Sequence, residues 1–209
     1  MRLLLVRHGQ TAANLKRALD TSLPGAPLTE EGHQQAADFA ATLPDKPVAV
    51  YASQATRAQQ TAAPIAAAHG LEVQVVEGVH EVFVGDLEGR TDDAALQEFF
   101  EIYLRWTNDD LDARMPGGES GAEIRARFTD AVGLIRDNHR HDHQDDEDCL
   151  VVLVSHGGVI RLGAEWLAEN VTGQLANVGV LPNTGHVLLE ANGDGWNCIE
   201  WTGVDLPHS

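Results

Sequence analysis

The chain has 209 residues, 43% of them hydrophobic and 22% charged, with no low-complexity repeat. That length buries a sizeable core without disulfides or metal clips, and the composition excludes wholesale disorder. With 14 basic against 32 acidic residues the formal net charge is −18, which opposes binding to nucleic acid or to an anionic membrane, so neither is expected as a partner. No run approaches ~18 apolar residues, and Leu3–Val6 is too short for a signal-peptide core; a cytoplasmic protein is expected. Cys149 and Cys198 each fall in a strand-like pattern and support neither a disulfide framework nor a thiolate zinc site.

In chain order, Leu3-Leu4-Leu5-Val6 reads as a strand buried on both faces, stopped abruptly by Arg7-His8-Gly9. Thr29, followed by Glu30, Glu31 and Gly32, caps a helix that continues to Leu43 and stops at Pro44. Val48–Tyr51 is a strand, Gln54–His69 a helix closed by Gly70, and Glu72–Val76 a further strand. Residues 78–118 carry little strand pattern and read as a small helical cap insertion over one end of the sheet, with a helix at Ala94–Thr107. In it Phe99, Tyr103 and Trp106 recur at i, i+4, i+7, a spacing that points to core packing before a substrate pocket.

Glu119–Asn138 is the next helix, and the polar run Asp137–Asp148, for all its alternating histidines, reads as a solvated loop. Leu150–Val154 is a second doubly buried strand, Gly158–Asn170 a helix, and Gly185–Glu190 with Trp196–Trp201 a hairpin around Asn192-Gly193-Asp194-Gly195. Strands alternating with helices predict an α/β fold: a three-layer α/β/α sandwich around a mainly parallel central sheet, one domain over residues 1–209.

The chemistry concentrates where the two buried strands end alike, in Arg7-His8-Gly9 and Ser155-His156-Gly157-Gly158. Open α/β sheets bind ligands beyond the carboxyl ends of their strands, so two imidazoles are expected to face one cleft. The glycines let backbone approach a ligand, the helix that follows offers N-terminal amides to an anion, and Arg7 and Arg57 could add bidentate phosphate donors. Rival chemistries fail on spacing. There is no Gly-x-x-x-x-Gly-Lys-Ser/Thr stretch, no Arg six residues after either Cys, and Gly118–Ala122 lacks the last Gly of a nucleophile elbow. Glu119 is expected to open the next helix near its positive end rather than to act in the site.

On these residues the chain resembles the histidine phosphatase superfamily, also called phosphoglycerate mutase-like. The resemblance rests on six ordered blocks: Arg7-His8-Gly9-Gln10-Thr11-Ala12-Ala13-Asn14, Pro27–Gly32, Ser53–Ala62 around Arg57, Glu81–Gly89, Pro116–Ser120 and Val154–Gly158. It implies that His8 is a nucleophile that becomes phosphorylated, and that Arg7, Arg57, His156, Asn14 and the Gly157 amide hold the phosphoryl oxygens. Glu81 would be the proton donor, protonating the leaving alkoxide and later accepting a proton from water. Guanidinium neighbours should keep His8 neutral, the attacking form, and a pocket of two Arg and a His stabilises phosphoryl charge without metal or other cofactor.

The partner implied is a small-molecule phosphomonoester; oligomeric state is not readable. Mutases that resemble these phosphatases carry a longer insertion after the Glu block, whereas only 35 residues separate Glu81 from Gly117, which favours a phosphatase over a mutase. A noncatalytic phosphate-binding module is a third reading, disfavoured because His8 and Glu81 are both present. The segment Thr21–Ala26 lacks the acidic residue common before Pro in relatives, so specificity is expected to differ.

Overall fold

A computed structural model describes residues 1–43, 45–140, 149–178 and 180–206. The two apolar runs form β1 (Arg2–Arg7) and, much later, its parallel neighbour β4 (Leu150–Ser155), with Val6 opposite Val154 and Arg7 opposite Ser155. Taking the elements between and after them in order, they are α1 (Ala12–Lys16), α2 (Glu30–Thr42), β2 (Ala49–Ser53), α3 (Thr56–Ala68), β3 (Val73–Val76), α4 (Asp93–Trp106) and α5 (Gly121–Arg140). Beyond β4 come α6 (Gly157–Leu167), α7 (Gly173–Val178), β5 (His186–Asn192) and β6 (Gly195–Trp201). The sheet order is β3-β2-β4-β1-β5-β6. The first four are mutually parallel, β5 runs antiparallel to β1, and β6 antiparallel to β5.

Strand alternation explains the layers. Leu3, Leu5, Val151 and Leu153 face one side, where they pack with Ile124, Phe128 and Ile135 of α5 and with Val159 and Ile160 of α6. Leu4, Val6, Val152 and Val154 face the other, against Ala58, Ala62 and Ile65 of α3 and Ala40 of α2. Each such buried aliphatic side chain contributes about 1.5–3 kcal/mol relative to exposure. Small alanines on α2 and α3 let that layer lie close to the sheet. Among the described residues no helix is long and apolar enough to cross a membrane.

Several boundaries move from the expected ones. Thr29 caps α2 through the Gly32 N–H at 3.0 Å, as its sequence suggests. By contrast α5 starts at Gly121, after Glu119, and continues through Asp137–Arg140, so the polar loop begins later than expected; its remainder, 141–148, lies outside the described residues, as does Pro44. The short α1 and α7 go unforeseen. α1 is a single capped turn, in which the Asn14 N–H donates to Thr11 Oγ1 and the Thr11 N–H to Asn14 Oδ1. Neither helix offers the run of apolar positions that periodicity needs.

Candidate active site

Because β1 and β4 are adjacent and parallel, their carboxyl ends deliver His8 and His156 side by side. The His8 N–H donates to Ser155 O at 3.0 Å, and the two ring centroids are 5.2 Å apart. β2, on the far side of β4, supplies Ser53, whose Oγ meets His156 Nε2 at 2.7 Å, and leads into α3, whose second residue is Arg57. Three neighbouring strand ends therefore converge on one point.

The hydrogen bonds of His8 settle its tautomer. Nδ1 lies 2.7 Å from the Gly9 carbonyl, which can only accept, so Nδ1 carries the proton. Nε2 keeps a lone pair and accepts from Arg57 Nε at 3.2 Å. Burial, then Arg57 and Arg7, push the His8 pKa well below the usual imidazole value, with the Gly9 carbonyl opposing. His156 is lowered in the same direction, by burial and then by Arg57 and His8. Its Nδ1 is buried with no hydrogen-bond partner among the described residues, a position that a ligand oxygen can satisfy.

The cations are held by backbone as much as by acids. Arg57, 2% exposed, donates through Nη2 to the Asp20 carbonyl at 3.0 Å and pairs with Asp20 Oδ2 at 3.4 Å. Arg7 donates to Leu181 O. Asn14 accepts from Thr11 N and from Asn183 Nδ2 through its Oδ1, which leaves its own amide N–H groups for a ligand. Together with Glu81, Gly157 and Gly158 these residues line a cavity of about 200 Å³.

Glu81 docks on the start of α6. Its Oε2 accepts the Gly158 N–H at 3.0 Å, and its Oε1 accepts Val159 N and Val82 N, both at 2.9 Å. Gly157, the first residue of the helix, has no intrahelical acceptor for its amide. A Cβ at position 158 would lie 2.8 Å from Glu81 Oε1, so a larger residue there would have to displace the carboxylate.

All the expected residues gather here: Arg7, His8, Asn14, Arg57, Glu81 and Gly157 line the cavity, and His156 lies buried against His8. Two expectations are corrected. Glu119 does not open α5; it receives Arg127 in a bidentate pair at 2.7 and 2.9 Å and accepts Phe83 N at 2.9 Å. Arg127 also donates to the carbonyls of Gly78, His80 and Glu81, so the pair clamps the segment carrying Glu81. The aromatic stripe divides: Trp106 is wholly buried and donates to Ala113 O, whereas Phe99, Phe100 and Tyr103 line the cavity. An amphipathic spacing identifies a buried face without saying whether helix or ligand covers it.

Sequence reasoning missed Asp20, Ser53, Glu88, Arg127, Arg161 and Asn183. Glu88 accepts Thr21 N at 2.8 Å, Ser22 N at 3.1 Å and the Thr21 hydroxyl, fixing the loop next to Asp20. Ser53 and Glu88 alone carried a signal, their places within the Ser53–Ala62 and Glu81–Gly89 blocks.

A family model for the histidine phosphatase superfamily (branch 1) matches residues 3–203. The chain belongs to that superfamily. A metal-independent phosphoserine phosphatase of Arabidopsis thaliana is 31% identical over 97% of this chain and 81% of its own length. PE-PGRS family protein PE_PGRS11 of Mycobacterium tuberculosis is 32% identical over 96% of this chain, which spans only 36% of that protein. Among solved structures, a mycobacterial glucosyl-3-phosphoglycerate phosphatase complexed with VO3 matches with a TM-score of 0.83 at 28% identity, over 97% of this chain and 99% of that one. The mixed sheet and its helical layers are those of the histidine phosphatase fold.

Proposed function

We propose that this histidine phosphatase superfamily member is a phosphomonoesterase whose phosphoryl group passes through Nε2 of His8 to water. The observation that carries the reading is the single available lone pair of His8, on Nε2, held by Arg57 in a cavity that Arg7 also lines. A phosphoryl oxygen taking the Arg57 N–H frees that lone pair, so binding and activation of the nucleophile are one event. Nε2 attacks phosphorus and the ester P–O bond breaks. Arg7, Arg57, Asn14, His156 and the Gly157 amide face the charge on the equatorial oxygens.

Glu81 donates the proton to the departing alkoxide. Oε1 already accepts two N–H groups and Oε2 only one, so Oε2 is the oxygen with room for the proton. In the second half-reaction Glu81 takes a proton from water, whose oxygen attacks phosphorus. The P–N bond breaks, returning neutral His8 and inorganic phosphate.

Two phosphatases of similar sequence or structure support hydrolysis over mutase chemistry. Residues 78–118 act as the cap, since they contribute Glu81 and the aromatic wall. We also assign the protein a cytoplasmic location. The decisive experiment incubates the protein with a ³²P-labelled phosphomonoester and quenches within the turnover time. Acid-labile, base-stable label that disappears in His8→Ala is expected; label retained in that variant would overturn the assignment.

A further inference from the structure

A third guanidinium, which the phosphoryl chemistry does not use, lines the same cavity. Arg161 lies on α6, four residues beyond Gly157 and so about one helical turn along the axis from the amide assigned to phosphate. It is 9% exposed. Two backbone carbonyls fix it: Nε donates to Ala176 O at 2.8 Å and Nη2 to Asn177 O at 3.4 Å. Its guanidinium carbon stacks 4.7 Å from the ring centroid of Tyr103, whose hydroxyl is in turn anchored on Gly158 O at 3.2 Å. The group is thus held in place from three sides.

What it lacks is an acid. Arg57 has Asp20 and Arg127 has Glu119, but among the described residues no carboxylate lies within ion-pairing distance of Arg161, and its Nη1 has no hydrogen-bond partner. Glu165, one turn further on, responds to Asp109 and Arg125 instead. Arg161 in turn adds, after burial and Arg57, to what disfavours the charge on Arg7. A buried, immobilised cation without a counter-charge is costly, and here its open edge faces the cavity beside Phe99 and Phe100.

We propose that Arg161 is a specificity-determining residue that selects phosphomonoesters bearing a carboxylate about one helical turn from the phosphate. This rests on the phosphatase reading above. A carboxylate suits the geometry better than a second phosphoryl group, because the Ala176 and Asn177 carbonyls take two of the five N–H groups and would repel additional oxygens.

The test compares substrates that differ in one group: 3-phosphoglycerate against glycerol 3-phosphate, and phosphoserine against phosphoethanolamine. Wild-type protein should prefer the carboxylate member of each pair ten- to hundredfold in kcat/KM, the range of one charge-assisted hydrogen bond, with most of the difference in KM. In Arg161→Gln the loss on the carboxylate member should exceed that on its partner at least tenfold, and Arg161→Lys should restore part of the preference. No wild-type preference, or equal losses on both members, overturns the proposal; the wild-type comparison decides even if the Gln variant does not fold. His8-dependent hydrolysis of p-nitrophenyl phosphate is measured alongside. Its failure would defeat the phosphatase reading itself, whereas its success without a carboxylate preference defeats only the role of Arg161.

Discussion

Glu81 Oε2 accepts the Gly158 N–H at 3.0 Å, so the side chain assigned as proton donor sits on the same helix start whose first amide is assigned to phosphate. An amide at this position can retain the Oε1 contacts to Val82 and Val159 but cannot donate a proton as an acid. Glu81→Gln should therefore fold normally and slow hydrolysis of alkyl phosphates by about 10²–10⁴, while aryl phosphates, whose leaving groups need little protonation, lose far less. A series of leaving groups of graded pKa measures this; parallel losses across the series would remove Glu81 from the acid role.

The Arg57 to His8 contact, 3.2 Å between Nε and Nε2, gives Arg57 two duties: covering the nucleophile when the cavity is empty and holding a phosphoryl oxygen when it is full. Arg57→Ala should lower kcat by about 10²–10³, the usual cost of one oxyanion donor. It should also weaken competitive inhibition by vanadate. Arg57→Lys should recover little, because an ammonium has no second N–H in the guanidinium plane to bridge both partners. Recovery to near wild-type rate in the Lys variant would show that charge alone suffices.

The pairing of His8 with His156 was legible because each terminates a run of four or five apolar residues, and such runs become adjacent parallel strands. Arg57 and Glu81 were legible through their blocks, although nothing in spacing alone brings them to His8. Arg127 and Arg161 were not, for a single Arg on an amphipathic helix reads the same whether its face meets solvent, a loop carbonyl or a cavity. Glu119 shows the same limit from the other side. Two residues short of the helix it was expected to begin, its carboxylate was available for a tertiary contact that no local rule describes.

That tertiary contact can be broken. Arg127 and Glu119, 15% and 17% exposed in their side chains, hold the carbonyls on either side of Glu81 and the Phe83 amide. Arg127→Ala should destabilise the protein by about 1–3 kcal/mol, less than a fully buried pair because water reaches both partners. Displacing the donor should cost a further ten- to hundredfold in kcat on alkyl phosphates. Chemical denaturation and the alkyl-to-aryl rate ratio report the two effects separately, and an unchanged ratio would make the clamp structural only.

The depressed pKa values of His8 and His156 set a signed dependence of stability on pH. Both rings are neutral in the fold, mainly because they are buried and then because Arg57 repels their charged forms, whereas in the unfolded chain each protonates near pH ~6.5. Below that value the unfolded state binds more protons, so stability falls as the pH drops, by up to about 1.4 kcal/mol per pH unit for each ring, and is fully present above it. Denaturant midpoints between pH 7.5 and 5 should trace this slope before most carboxylates titrate. His80, also lowered by burial, adds a smaller share, so the double variant His8→Gln, His156→Gln should flatten the slope without abolishing it. An identical slope in the wild type and the double variant would mean that the two rings are already charged, and then no neutral nucleophile would stand at position 8.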